Sequence, residues 1–323
     1  MNKCTGIDIS KQTFDCSITT NEGKVEARKL PNNLKGFEKL KKLLPADSHV
    51  IMEASGPYYY QLAFFLFKNK INVSVVNPLV IRRFCQMRMI RTKTDKKDAS
   101  MIREYGITEK PGFWQPDSPS ITKLKQLNAS IDLLDKNITA LSNQLEAFTQ
   151  MPDADKKLLR SIKNIISSNE KAKEKMEKEM HEVAIKEYGE SYKALQTIPG
   201  VGPKTSAILI AVTGNFKKFN HYKELIAYVG LNPRIFESGT SVRGKGHISK
   251  MGTARLRKLL YLCAWSAKRV NVYCKEMYER LKAKCKPEKV IKVAIANKLL
   301  RQAFAVGKNC KKFEINYQQT IAN

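Results

Sequence analysis

Over residues 4–10 apolar and polar positions alternate, with Thr5, Ile7 and Ile9 on one side and Gly6, Asp8 and Ser10 on the other. A period of two is the mark of a strand with one buried face. Similar short stretches predict strands at 13–20, 24–30, 48–54 and 71–76, with Asn21-Glu22-Gly23 as the turn between the second and third. Between them the spacing becomes helical. Leu34, Phe37, Leu40 and Leu44 share a face, and a helix over 58–68 follows Pro57, which suits its first turn. The fifth strand ends at Asn77-Pro78, helical spacing resumes at Leu79, and a further helix starts at Thr94 and runs to about Tyr105.

The predicted order is β-β-β-α-β-α-β-α, an antiparallel meander followed by two crossover units. That is the order of an α/β RNase H-like domain, expected over residues 1–115. From Ile121 to Phe148 the pattern changes. Leu124, Leu127, Ile131, Leu134, Ile138, Leu141, Leu145 and Phe148 recur at alternating spacings of three and four, a heptad seam that predicts a coiled coil or helical hairpin. Met151-Pro152-Asp153 interrupts it, and a Lys- and Glu-rich helix is expected over 154–188. Long exposed helices of this kind bridge domains or pair with another subunit, so residues 116–190 read as a coiled-coil linker. Residues 191–323 form a third, mainly α region.

Charge adds the first functional constraint. Lys and Arg number 58 against 30 Asp and Glu, a net charge of +28. A polyanion partner relieves self-repulsion on that scale, which makes nucleic acid the leading ligand. A solvated basic surface is the plain alternative. A membrane surface fits less well, since the cations spread over several elements. No apolar stretch is long enough to span a bilayer, and the first residues enter a strand pattern without a leader. A cytoplasmic setting, close to the nucleoid, is the expectation. The seven cysteines are scattered, without a C-x-x-C pair, which argues against a disulfide framework or a zinc ribbon. Cys263, Cys274 and Cys285 recur every eleven residues, a spacing that could align them on one helical face, with core packing the favoured meaning.

Candidate chemistry begins with acids. Asp8 lies within the first strand, Glu53 ends the fourth, and Asp95 and Asp98 open a helix on one side of it. In an RNase H-like sheet the first and fourth strands are neighbours, so these acids would converge. Four carboxylates in a small volume repel one another, and hard divalent cations remove that penalty. Mg²⁺ or Mn²⁺ is the expected cofactor, suited to in-line phosphoryl transfer. Taken singly, Asp95 and Asp98 complement a helix dipole behind a Thr94 cap, and Glu53 is a strand-end surface residue. Asp8, between Ile7 and Ile9, is harder to set aside. Arg82, Arg83, Arg88, Arg91, Lys93, Lys96 and Lys97 crowd the approach to the Asp pair, where they would hold phosphates or form a solvated loop.

In the C-terminal region, I-P-G-V-G-P-K over 198–204 reads as a helix-hairpin-helix-like turn. Gly200 and Gly202 would let backbone amides approach a phosphate, with Lys204 nearby; a plain tight turn is the alternative. The run S-G-T-S-V-R-G-K-G-H-I-S-K-M-G-T-A-R-L-R over 238–257 holds Ser238, Ser241 and Ser249 as candidate nucleophiles. Arg243, Lys245, Lys250, Arg255 and Arg257 supply positive charge. Phosphate binding without catalysis is the simpler reading of such a loop.

These segments together resemble the DEDD transposases of bacterial insertion sequences: G-I-D-I-S with Asp8, M-E-A-S-G with Glu53, K-T-D-K-K-D-A with Asp95 and Asp98, then I-P-G-V-G-P and the G-L-N-P…S-G-T-S-V-R-G-K…I-S-K-M-G-T-A-R-L-R segment. The resemblance covers nearly the whole chain. It implies a RuvC-like catalytic domain with the four acids as its metal site, and Ser241 as the nucleophile that joins to DNA. It further implies double-stranded donor and target DNA as substrates, a structured bridge RNA as guide, and homo-oligomers in which dimers pair into a tetramer. A metal-dependent junction endonuclease that uses water, and a non-catalytic nucleic-acid-binding protein, are the competing readings.

Overall fold

The computed structural model describes residues 3–90, 94–234, 237–238, 242–244 and 246–314. The chain divides into two compact units, Met1–Pro116 and Asp117–Asn323.

The first unit contains β1 (Cys4–Ile9), β2 (Thr13–Thr19), β3 (Val25–Pro31), α1 (Leu34–Leu43), β4 (His49–Glu53), α2 (Tyr59–Lys68), β5 (Asn72–Val76), α3 (Pro78–Met87) and α4 (Asp95–Glu109). The strands form one sheet in the order β3-β2-β1-β4-β5. The first three are antiparallel, and β4 and β5 run parallel to β1. The succession of strands and helices is the one read from the alternating and helical spacings.

Alternation gives the sheet two apolar faces, since successive side chains point to opposite sides. Ile7, Ile9, Phe14, Val50 and Met52 pack on one side against Phe37 and Leu40 of α1 and Leu62 and Leu66 of α2. Cys4, Ile51 and Val76 pack on the other side with Ile81 of α3 and Ile102 of α4. Each fully buried Ile or Leu contributes about 1.5–3 kcal/mol. The second side carries a tighter constraint at Gly6. A Cβ there would stand 2.2 Å from both the Ala99 carbonyl oxygen and the Arg103 amide nitrogen. The backbone of α4 therefore rests directly on β1. Its first turn is fixed by Thr94, whose side chain accepts from the Lys97 amide at 3.3 Å.

The second unit is mostly helical: α5 (Pro119–Thr149), α6 (Lys156–Gln196), α7 (Pro203–Thr213), α8 (Tyr222–Val229), α9 (Ala254–Val270), α10 (Val272–Ala283) and α11 (Glu288–Asn309). Between α8 and α9 lie four two-residue strands: β6 (Pro233–Arg234), β7 (Glu237–Ser238), β8 (Val242–Arg243) and β9 (His247–Ile248). They pair as β6 with β9 and β7 with β8. Helices α5 and α6 pack along each other as a hairpin. Its root joins the core of the unit, where Ile121, Leu124 and Ile131 meet Met180 and Ala184 in a cluster continuing through Leu209, Phe216, Leu260 and Leu299. Further out the seam residues Ile138, Leu141, Leu145 and Phe148 are only half-buried.

The second hairpin helix, expected to end at Tyr188, instead kinks there (φ −136°, ψ 31°) and continues to Gln196. The Tyr188 hydroxyl lies 2.9 Å from Ser118 Oγ and 2.7 Å from Ser120 Oγ, so the kink is tied to the start of α5. The eleven-residue cysteine spacing does not mark one helical face. Asn271 ends α9 and caps α10, accepting from the Cys274 amide. Cys263 and Cys274 therefore sit on different helices, Cys285 lies beyond both, and all seven cysteines are free thiols. Among the described residues no helix is long and apolar enough to cross a membrane.

The contact at Gly6 yields a stability prediction. Gly6→Ala should lower the urea-unfolding free energy by about 2–3 kcal/mol, because backbone on both sides has to move. Gly112→Ala, whose Cβ would meet nothing within 4 Å, should change it by less than about 0.5 kcal/mol.

Candidate active site

Strand register brings the acids of the first unit to one place. Asp8 of β1 stands opposite Asp15 of β2, and Asp15 stands opposite Lys29 of β3. Directly paired residues share a face of the sheet, so the three form a row across three strands. On the other flank β1 runs parallel to β4 with Ile7 beside Met52. One residue further along each strand, Glu53 comes beside Asp8. Lys29 Nζ is 3.4 Å from Asp15 and 3.9 Å from Asp95 at the head of α4. The Ser55 hydroxyl donates to Glu53 Oε1 at 2.7 Å. Asp98 is half-buried one turn into α4, whereas Asp95 is exposed.

The electrostatics follow from that crowding. Asp8 is pushed up to about 6, first by burial and then by the negative charges of Asp98, Glu53, Asp95 and Asp15. The Cys85 thiol on α3 is also raised, by burial and then by Asp98 and Glu53. Hard oxygen donors that hinder one another's ionisation are the set a divalent cation relieves. The donor chemistry fits such an ion. Among the described residues, no three acids, histidines or cysteines are gathered closely enough to chelate one as they stand.

The cations divide into two groups. On α3 and α4, Arg82, Arg83, Lys96 and Lys97 are exposed, with Arg83 donating to Gln86 Oε1 at 3.1 Å. Arg88 is engaged, 3.0 Å from Glu104 and stacked over Phe84 at 5.3 Å. Arg91 and Lys93 lie outside the described residues.

In the second unit several candidates hold the fold together. Lys204 Nζ is 2.7 Å from Glu177 and 3.8 Å from Asp135, joining α7 to α6 and α5. Arg255 reaches Asp132 at 3.3 Å and donates to the Asn128 carbonyl. Arg257 donates to the Val229 carbonyl at 2.7 Å. Gly200 has φ +99°, and a Cβ there would stand 2.7 Å from Ala267 Cβ, so it lets the turn before α7 close onto α9. Gly202 caps α7 and faces open space. Lys250 is exposed. Ser249 donates to Asn232 Oδ1 at 2.6 Å. Arg243 lies in β8 and Ser238 in β7. Ser241 and Lys245 lie outside the described residues.

Asp15, Lys29 and Ser55 escaped the reading of the sequence. A signal for Asp15 was present: with the chain turning between Ile9 and Thr13, counting back from the turn sets Asp8 opposite Asp15. Nothing in the spacing pointed to Lys29, since its neighbour Asp95 is distant in sequence and arrives only through packing of α4.

Comparisons with known proteins agree across both units. A model of DEDD transposases of the IS110 type, described as "Transposase", matches residues 5–150, and one described as "Transposase IS116/IS110/IS902 family" matches residues 192–279. The chain is 33% identical to a pilin gene-inverting protein of Moraxella lacunata, over 96% of this chain and 97% of that protein. The Moraxella bovis counterpart matches at the same identity and coverage. A transposase for insertion sequence element IS1111A of Coxiella burnetii is 26% identical over 80% of this chain and 76% of its own.

The raised Asp8 carboxyl sets a sign for stability against pH. The folded protein holds that proton to about pH 6, whereas a free carboxyl loses it near 3.8. Ionised Asp8 therefore costs stability, and the cost grows as pH rises through that window. In metal-free buffer with chelator, Asp8→Asn should stabilise the protein at pH 8, by about 1 kcal/mol once solvent screening of a half-buried group is discounted. The gain should vanish below about pH 4. Thermal unfolding of both proteins across that range checks it, and an equal difference at every pH would remove the electrostatic explanation.

Proposed function

For a chain that belongs to the IS116/IS110/IS902 family of transposases, and so cuts and rejoins DNA, we propose a two-part mechanism built on acids of the first unit and a serine of the second. The observation that carries it is Asp8, flanked in register by Glu53 and Asp15 and faced by the first turn of α4, with its carboxyl raised first by burial and then by those neighbours.

The sheet order, with β1 central and the β4 acid at its side, supports an RNase H-like, RuvC-like reading of residues 1–115. Residues 116–190 then serve as a helical arm and 191–323 as the serine-bearing region. Asp8, Glu53, Asp95 and Asp98 would hold Mg²⁺ or Mn²⁺, which supplies charge neutralisation at the phosphoryl oxygens when bound. Lys29 lies between Asp15 and Asp95 at the exposed rim of the site, and Ser55 orients Glu53 by its hydrogen bond. Exposed Arg82, Arg83, Lys96 and Lys97 are placed to meet backbone phosphates.

In this mechanism Ser241 Oγ attacks a DNA phosphorus. One phosphoester bond forms to the serine as the bond to the leaving strand breaks, and the serine proton passes to the leaving hydroxyl. The bond count is unchanged, so the strand can later be rejoined without an outside energy source. The choice of Ser241 rests on its family resemblance. A bridge RNA pairing with donor and target DNA, and assembly of dimers into a tetramer, are part of the same proposal. The net charge of +28 and the half-buried outer seam of the hairpin support them. Inversion of a DNA segment is a second reading, favoured by the pilin gene-inverting relatives that match along nearly the whole chain; the bond chemistry is the same.

Two variants test the mechanism on element-end DNA with guide RNA and magnesium. Asp8→Asn should lower strand cleavage at least about a hundredfold. Ser241→Ala should abolish the covalent protein–DNA adduct on a denaturing gel. Cleavage that persists in Ser241→Ala but fails in Asp8→Asn would identify a hydrolytic nuclease that uses water instead.

A further inference from the structure

In the second unit, α8, α10, α11 and residues 311–314 line a half-open cavity of about 290 Å³. That is at the lower edge of the roughly 300–1,000 Å³ range of small-molecule sites. Its lining is aromatic and cationic together. The Arg301 guanidinium sits 4.7 Å from the centre of the Tyr222 ring, and Lys298 Nζ 5.2 Å from that of Tyr273. Phe313 meets Tyr273 edge-on, with ring centres 6.2 Å apart and planes at 85°. Phe313 is held in place by its own amide, which donates to Thr197 Oγ1 at 2.8 Å. Lys311 and Lys312 add two further charges, against a single carboxylate, Glu314.

These cations differ from Lys204, Arg255 and Lys218, each spent on a carboxylate within the fold. Among the described residues neither Lys298, Arg301, Lys311 nor Lys312 forms an ion pair. Their charge is left for an anion from outside. A ligand that matches both features has a flat, weakly polar body and negative groups beside it. Nucleotides of a single strand have that form: the base stacks on aromatic rings or guanidinium planes, and phosphates meet lysines and arginines. A base inside an intact duplex is stacked and cannot enter.

We infer that this cavity is a pocket for an unpaired nucleobase of single-stranded nucleic acid, stacked among Tyr222, Tyr273 and Phe313 with its flanking phosphates on the surrounding cations. The inference rests on the reading of the chain as a nucleic-acid enzyme and adds a site separate in sequence from the acids and the serine loop. RNA and DNA strands share the recognised chemistry.

The test uses the full chain with short single-stranded RNA, single-stranded DNA and duplex DNA, each carrying 2-aminopurine. Tyr273→Leu and Arg301→Gln should each weaken single-strand binding about tenfold and alter duplex binding less than about twofold, while Tyr273→Phe should keep wild-type affinity. A loss confined to RNA names RNA as the natural strand, and a loss on both strands means the base alone is read; either supports the pocket. Equal weakening on the duplex, or none on any single strand, overturns it. A second measurement needs no variant. Single strands carrying 5-iodouracil should photo-cross-link to Tyr222, Tyr273 or Phe313, and adducts found solely elsewhere overturn the pocket. Failure of the cleavage reading shows separately, as cleavage by Asp8→Asn at the wild-type rate.

Discussion

The candidate active site depends on one close approach, the backbone of α4 lying on β1 at Gly6. A side chain of any size at that position would lift the helix from the sheet. With the helix seated, its first turn carries Asp95 and Asp98 into the field of Asp8. The same seating brings Asp95 within 3.9 Å of Lys29 on the outermost antiparallel strand. The chemistry is thus assembled from a strand pair, a parallel neighbour and a helix that is distant in sequence, and a missing Cβ permits the last of these to join. Burial of Cys4, Ile51, Ile81 and Ile102 on this side then holds the layers together.

Two half-buried carboxylates show what the surroundings decide. Burial raises the carboxyl of Asp117 as it does that of Asp8. Asp117 receives bonds from Lys125 at 2.5 Å and Lys218 at 2.8 Å, and its pKa ends below the ordinary value. Asp8 has acids for its nearest charged neighbours, and its pKa ends well above. The first arrangement stabilises a fold. The second holds electrostatic stress that a bound cation would relieve, which is the property expected of a site with work to do.

Much of the first unit was legible in the sequence, because alternation and helical spacing report directly on which face is buried. Asp8 stood out for the same reason, as an acid inside an apolar alternation. Hairpin register, which the turn length sets, also carries the position of Asp15, a signal the reading of the sequence passed over. Lys29 and the engagement of Lys204, Arg255 and Arg257 were not legible. Each is fixed by tertiary packing between elements far apart along the chain, and a lysine in a basic stretch looks the same whether it meets solvent, a carboxylate or a phosphate. The cavity beside Tyr273 was hidden likewise, since its walls come from helices separated by dozens of residues. The cysteines share no helical face because Asn271 turns the chain between two helices, something periodicity alone does not register, whereas the core packing favoured from the sequence holds for Cys274 and Cys263 and not for exposed Cys285.

The tie between Tyr188 and the start of α5 has a mechanical meaning. Helix α5 has 31 residues, about 46 Å at the rise of an α-helix. Its partner α6 is tied to the same root by the Tyr188 hydroxyl contacts with Ser118 and Ser120, each adding on the order of 1 kcal/mol against splaying at the base. The hairpin's root residues Ile121, Leu124, Met180 and Ala184 are continuous with the core that holds Leu209 and Leu260, so the arm is an extension of that core and not a separate body.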